Sequence, residues 1–219
     1  MFKKLISTAL AAAVLLTSTA FAYTDVPSTD AGFEAISMIS NLKLMEGFDD
    51  GSFRPDDVLT RSELAKIIVI AMDQYPKDGE TPFTDVPDDH WAAGWIYTAY
   101  VKGIINGCGD GTFRPDNPVT YEEGIKMIVC ALGYEAKAQK MGGWPVGYLS
   151  LAAAERITAR SGGKLFTPLT RRQFAILLYN SLEVEICDGI YWDPNVLYAP
   201  KASETLMSRM INRINRDTE

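Results

Sequence analysis

Histidine occurs once in this chain and cysteine three times, out of 219 residues. That scarcity removes whole classes of function. His90 stands alone, so no Cys/His metal spacing exists, and no serine or cysteine nucleophile has a visible base. An odd cysteine count does not suit a disulfide framework. Cys130 falls on the apolar face of a helical pattern, as a small core residue does. Cys108 and Cys187 could pair only if the fold brings them together. Basic excess is missing too: the formal charge is −7, which argues against nucleic acid as the main ligand. No Walker loop is present. Adjacent carboxylates such as Glu122-Glu123 do not face each other on a helix and make a poor acid/base pair. Counting a calcium loop from Asp49 puts Phe53 and Thr60 at ligand positions that require oxygen-rich acidic residues, so that reading fails. No metal, no cofactor and no enzymatic activity are expected.

Long apolar runs are also scarce. The one present, Leu5 to Leu16, follows Lys3-Lys4 and precedes Ala20-Phe21-Ala22, a small-x-small cleavage pattern. It is short for a membrane span of about 20 residues. Residues 1–22 are therefore read as an export signal, with Tyr23 first in the mature chain and no transmembrane segment after cleavage. Loss of Lys3 and Lys4 takes the charge from −7 to −9.

What is abundant is repetition. Tyr23–Asp73 laid without gaps on Phe83–Gly133 matches Thr24-Asp25-Val26-Pro27 to Thr84-Asp85-Val86-Pro87, and Asp50-Gly51-Ser52-Phe53-Arg54-Pro55-Asp56 to Asp110-Gly111-Thr112-Phe113-Arg114-Pro115-Asp116. It also matches Thr60-x-x-Glu63 to Thr120-x-x-Glu123. A diverged third copy runs from Gly143 to Ile186, with Thr170-x-x-Gln173 in the same place. Repeats of this length are single supersecondary units that bury their apolar faces against neighbours.

Each copy reads as helix, loop, helix. In the second, His90 to Ile105 carries Trp91, Trp95, Ile96, Ala99 and Ile104 at helical spacing, with Asp88 or Asp89 as N-cap and Gly107 past the end. Trp95 is read as core. Phe113-Arg114-Pro115 must run extended, because the residue before proline avoids the helical region. Thr60, Thr120 and Thr170, with Glu63, Glu123 and Gln173 three residues on, form capping boxes opening the second helices. The expected class is all-α, with six helices and three short extended connectors. The expected segments are 1–22, 23–79, 80–140, 141–186 and 187–219. The last holds a turn-like Tyr191-Trp192-Asp193-Pro194, then a short helix within Ser203–Arg216. That helix either packs back on the bundle or docks a surface partner protein.

The strings Asp-Val-Pro, His-Trp-Ala, Asp-Gly-Thr-Phe-Arg-Pro-Asp and Thr-Arg-x-Glu, in order and repeated behind an export signal, resemble the S-layer homology domain. The resemblance covers residues 23–186. It implies a pseudo-threefold bundle on the bacterial cell surface that anchors proteins noncovalently to the wall. The implied ligand is a pyruvylated secondary wall polysaccharide, held in grooves between repeats. An alternative keeps the fold with degenerate grooves, as a structural or protein-interaction subunit.

The residue chemistry suits such a ligand. Guanidinium groups hold carboxylates through paired hydrogen bonds, and Arg61 and Arg171 sit in first helical turns where anions are favoured. Trp91 and Trp144 offer ring faces to sugar C–H surfaces. Arg54 and Arg114 are either ligand contacts or partners of a neighbouring aspartate such as Asp56 or Asp116. Arg61 and Arg171 are expected to be surface residues that contribute little to stability. Tyr121 stands where the resemblance implies arginine, Asp30-Ala31 stands where the second copy has His90-Trp91, and Gly143-Trp144-Pro145 replaces the start of the third copy.

Overall fold

Thr60 and Thr170 each accept the backbone N–H three residues on, while Glu63 and Gln173 reach back to the threonine N–H groups at 2.9 and 3.1 Å. Thr120 donates its N–H to Glu123 at 2.9 Å. Satisfying the free donors of a first turn fixes where a helix starts, and these helices therefore begin at the residue after each threonine. The computed structural model describes residues 23–187 and 200–217. In chain order they form α1 (Phe33–Asn41), α2 (Arg61–Ala71), α3 (Ala93–Val101), α4 (Tyr121–Ala131), α5 (Glu135–Lys140), α6 (Val146–Ala154), α7 (Arg171–Ser181), β1 (Glu185–Cys187), β2 (Pro200–Thr205) and α8 (Leu206–Asp217). The fold is mainly helical.

Just ahead of each capping threonine the chain is extended, and the three extended pieces meet. Leu59 N–H donates to the Leu169 carbonyl at 2.9 Å, Leu169 N–H to Val119 at 2.9 Å, and Val119 N–H to Leu59 at 3.0 Å. These bonds close a triangle. Outside it, Arg61 N–H donates to Asn117, Tyr121 N–H to Thr167 and Arg171 N–H to Asp57, repeating the same handoff between units. Leu59, Val119 and Leu169 are buried at the centre.

The helices obey the same cyclic rule. Each first helix packs on the second helix of the preceding unit: α3 on α2, α6 on α4, and α1 on α7. One continuous apolar core results, running from Val26 to Met210. The seam between last unit and first is reinforced by Arg172, which pairs with Asp30 at 3.0 Å and Asp56 at 2.8 Å.

Several expectations are corrected. The helix read over His90–Ile105 is shorter, because His90 stays outside it. The His90 Nδ1 accepts the Ala92 N–H at 3.1 Å, as Asp30 accepts the Gly32 N–H at 2.7 Å. Neither Asp88 nor Asp89 is the cap; that position is Ala92. The helix stops at Gly103, whose φ of 71° suits glycine. Gly107 lies in the following loop, where a Cβ would collide with the Phe83 ring. Besides the six repeat helices and the expected tail helix α8, the described residues hold one more helix, α5, and an unanticipated antiparallel pair joins β1 to β2.

The tail helix packs back. Leu206, Met207 and Met210 are buried, and Arg216 pairs with Asp73 at 2.6 Å. Its apolar side is thus covered by the bundle. None of the three cysteines is in a disulfide: Cys108 is exposed and Cys187 buried, and these two do not pair. No helix among the described residues is long and apolar enough to cross a membrane. The expected export signal and the Tyr191–Pro194 turn lie outside the described residues.

The triangle makes a prediction. Leu169→Ala removes a fully buried side chain from the point where all units meet, and should cost about 2–5 kcal/mol. Denaturant unfolding followed by tryptophan fluorescence and by circular dichroism should show one shifted transition common to both. A transition confined to the third unit would contradict the closed ring.

Candidate functional site: two composite grooves

The recurring loop motifs are a scaffold. Asp25 accepts the N–H groups of Phe53 and Arg54 at 2.8 and 2.7 Å, and Asp85 does the same for Phe113 and Arg114. That grip holds Arg54 and Arg114 at φ of 56° and 59°, left-handed values that non-glycine residues adopt rarely. Their side chains fold back to Asp50 at 3.0 Å and Asp110 at 2.7 Å. The partner aspartate is thus the one four residues earlier, not Asp56 or Asp116. Ser52 and Arg54 hydrogen bonds hold the Asp50 carboxyl down at about 2, and Thr112 and Arg114 do the same for Asp110. The third unit has no such aspartate. There the N–H of Phe166, also left-handed, donates to buried Glu122 of the second unit at 2.9 Å.

These loops wall two grooves built alike. One, of about 330 Å³, is lined by Arg171 of the third unit, by Leu44–Gly47, Glu63, Lys66 and Ile67 of the first, and by Trp91 of the second. The other, of about 240 Å³, is lined by Arg61 of the first unit, by Ile104–Gly107, Glu123, Lys126 and Met127 of the second, and by Trp144 of the third. Apart from Lys43 and Ile70, which line the first groove alone, each lining position has its counterpart one unit along. Each groove takes its arginine from the preceding unit and its tryptophan from the following one. Trp91 and Trp144 are about half exposed, and the Lys126 Nζ lies 5.8 Å from the Trp144 ring centroid.

The arginines are not loose surface residues. Arg61 Nε donates to the Phe113 carbonyl at 2.7 Å, and its Nη1 meets Glu123 at 2.6 Å. Arg171 Nε donates to the Phe53 carbonyl at 2.8 Å, and its Nη2 donates to the Glu46 carbonyl at 2.7 Å. Each stitches its own unit to the next. They are therefore boundary residues rather than the surface residues expected. Each guanidinium carries five N–H donors, so capacity for a ligand carboxylate is left after these bonds.

Where the third groove would stand, the arginine, glutamate, lysine and tryptophan are all replaced. Tyr121 replaces the arginine, and its hydroxyl bonds Ser161 at 2.6 Å. Gly163 packs so closely on that ring that a Cβ would collide with it. Gln173 replaces the glutamate, buried Ile176 replaces the lysine, and Ala31 replaces the tryptophan. Tyr121 and Ala31 are far apart in sequence, and the cyclic handoff puts both departures in one groove.

Lys66 and Lys126 escaped the sequence reading. Both lie six residues after the capping threonine, inside runs of apolar residues, and their identity across the two copies was the available signal. Trp95 packs against the core as expected. Cys130 is buried and donates to Glu135 at 2.8 Å; burial and that contact push its thiol pKa well up, which keeps it unreactive.

Residues 22–65 and 82–123 match the S-layer homology domain family. The chain carries S-layer homology domains. Its relatives include the middle cell wall protein of Brevibacillus brevis, 31% identical over 99% of this chain and 21% of that protein. The surface layer protein of Brevibacillus choshinensis is 31% identical over 99% of this chain and 20% of that protein. A cellulosome-anchoring protein of Acetivibrio thermocellus is 33% identical over 43% of this chain and 22% of that protein. The chain thus spans about a fifth of the length of the curated relatives it matches. These S-layer homology domains and relatives identify an exported protein of the bacterial cell surface. The matched segments contain Arg61, Trp91, Arg54 and Arg114, while Arg171 and Trp144 lie beyond them, in the third unit.

Two measurements follow from this geometry. Arg61→Ala and Arg171→Ala strand carbonyls at a unit boundary and should each cost about 1–3 kcal/mol, whereas exposed Lys66→Ala should stay within about 0.5 kcal/mol. Thermal melts of the three variants decide this. Separately, a carboxyl depressed in the folded state stabilises it above the unfolded value of about 3.9. That contribution is lost as pH falls through about 2 for Asp50 and Asp110. Carboxyl NMR titration should find both midpoints there, and Ser52→Ala should raise that of Asp50 alone.

Proposed function

We propose that this chain anchors an exported protein noncovalently to the bacterial cell wall, by holding an acidic secondary wall polysaccharide in its two composite grooves. The polymer carries pyruvate ketals on some of its sugars. The observation that carries the reading is the double occurrence of one set: an arginine, a lysine and a half-exposed tryptophan around a groove. A ketal carboxylate on a sugar presents an anion beside a C–H face. Guanidinium and ammonium suit the first, and an indole ring suits the second. The work is binding, with no bond made or broken. Relatives whose names denote wall, surface-layer and anchoring proteins support it.

An acidic protein holding an acidic polymer meets little long-range repulsion, because screening at 0.1 M salt acts within about 10 Å. The attraction is local, at groove cations. Arg54 and Arg114, closed onto their own aspartates, act as loop supports and not as ligand contacts. The collapsed third groove is the one place where a protein-interaction role would have a distinct surface.

The test is sedimentation with purified wall sacculi before and after removal of the polysaccharide. Binding should require the polymer. Replacing Lys66 and Lys126 with alanine together should weaken it about 10- to 100-fold, with the melting temperature unchanged. Arg61→Lys and Arg171→Lys should retain part of the binding, because an ammonium cannot reproduce the planar fork. Equal binding to stripped sacculi would replace this reading with the protein-interaction one.

A further inference from the structure

The two grooves are built from equivalent positions, yet their arginines are held differently. Arg61 is already paired with a carboxylate, Glu123, at 2.6 Å. Arg171 has no such ion pair among the described residues; its two hydrogen bonds go to the neutral carbonyls of Phe53 and Glu46. It lies between two rings, 4.5 Å from the Phe53 centroid and 5.1 Å from that of Phe48. Arg61 has one such ring, Phe113, at 4.9 Å. The difference traces to one position. Phe48 is matched sixty residues later by Cys108, whose short side chain offers no second face. The Phe48 ring is itself held by Arg54, whose guanidinium carbon lies 3.8 Å from its centroid.

We propose that the two grooves select different units of the ligand: the Arg171 groove takes the carboxylate-bearing sugar, and the Arg61 groove a neutral one, with Phe48 setting the difference. The lining charges do not create this contrast. The first groove holds Lys66, Arg171 and Lys43 against Glu63 and Glu46, and the second holds Lys126 and Arg61 against Glu123. Both sums are +1, so what differs is whether the arginine is already neutralised at contact distance. A guanidinium between two aromatic faces is stripped of water without gaining an anion, and binds an incoming carboxylate more strongly. Burial pushes the Arg171 guanidinium pKa down, against the opposing pull of Glu63 and Asp57, as expected of a desolvated and incompletely compensated charge. In the other groove a ligand carboxylate would have to share its arginine with Glu123, which is also bound to the Thr120 N–H. Glu63 remains on its own cap, 2.9 Å from the Thr60 N–H.

This inference rests on the wall-polymer reading, and the experiment separates their failures. Indole N–H signals of the mature chain are followed by NMR during titration with a methyl hexoside carrying a 4,6-pyruvate ketal, and with the same hexoside lacking it. Trp91 reports on the Arg171 groove and Trp144 on the other, with signals assigned from Trp→Phe variants. The ketal sugar should shift Trp91 at a concentration about tenfold lower than it shifts Trp144, and the plain sugar should show no such preference. Phe48→Cys should abolish the preference, and Cys108→Phe should bring the Trp144 response toward that of Trp91. Equal responses of the two indoles to the ketal sugar, or an unchanged preference in Phe48→Cys, overturn the assignment while leaving wall anchoring intact. Silence of both indoles toward both sugars overturns the two proposals together.

Discussion

Three backbone hydrogen bonds between Leu59, Val119 and Leu169 set the geometry of everything outside them. Each residue gives its N–H to one neighbour and its carbonyl to the other, so no polar group is left over at the buried centre. The side chains at these positions are almost completely enclosed, and a hydrogen bond in such low-dielectric surroundings is electrostatically stronger than one in water. The capping threonines follow directly, so the triangle also fixes where α2, α4 and α7 start and how they splay. From that splay follows the placement of Arg61, Tyr121 and Arg171, each on the next unit's loop.

The composite grooves are a consequence of this handoff and not an added feature. A repeat alone holds an arginine that belongs to a later groove and a tryptophan that belongs to an earlier one. Departures from the repeat are therefore distributed in an unexpected way. Tyr121, Ile176, Gln173 and Ala31 sit in three different repeats, yet all four fall on one groove. The other two keep full sets. The departures leave two complete residue sets instead of three partial ones.

Much of this was legible in the chain. The capping boxes are local devices, with both partners within four residues, so Thr60-x-x-Glu63 and its copies announced their helices directly. Gly-x-Phe-Arg-Pro announced an extended loop for an equally local reason. The helix start at Ala93 was misplaced because His90 caps the preceding turn through its ring nitrogen, a role that helical periodicity does not encode. The pairing of Arg54 with Asp50 instead of Asp56 depends on a left-handed φ imposed by Asp25, 29 residues away. Lys66 and Lys126 were hidden for another reason. A lysine within an apolar helix reads as a solvated position until the neighbouring unit's arginine and tryptophan are placed around it. The β1–β2 pair joins segments separated by the long 188–199 stretch, beyond the reach of any local signal.

Ring closure has one seam that the polypeptide does not itself cross. The first and second units are joined by chain, as are the second and third, but the third meets the first only through noncovalent contacts: the α1–α7 packing, the Leu59–Leu169 side of the triangle, the Arg171 bonds to Phe53 and Glu46, and the two aspartates gripped by Arg172. If that seam parts, the first unit is free to swing on its linker and fill the same position in another molecule, using contacts identical to those it left. Domain exchange of this kind costs little in enthalpy and is governed by protein concentration and linker length. A crowded surface, where many copies are held side by side, is the setting in which a ring with an open seam would become a chain of rings.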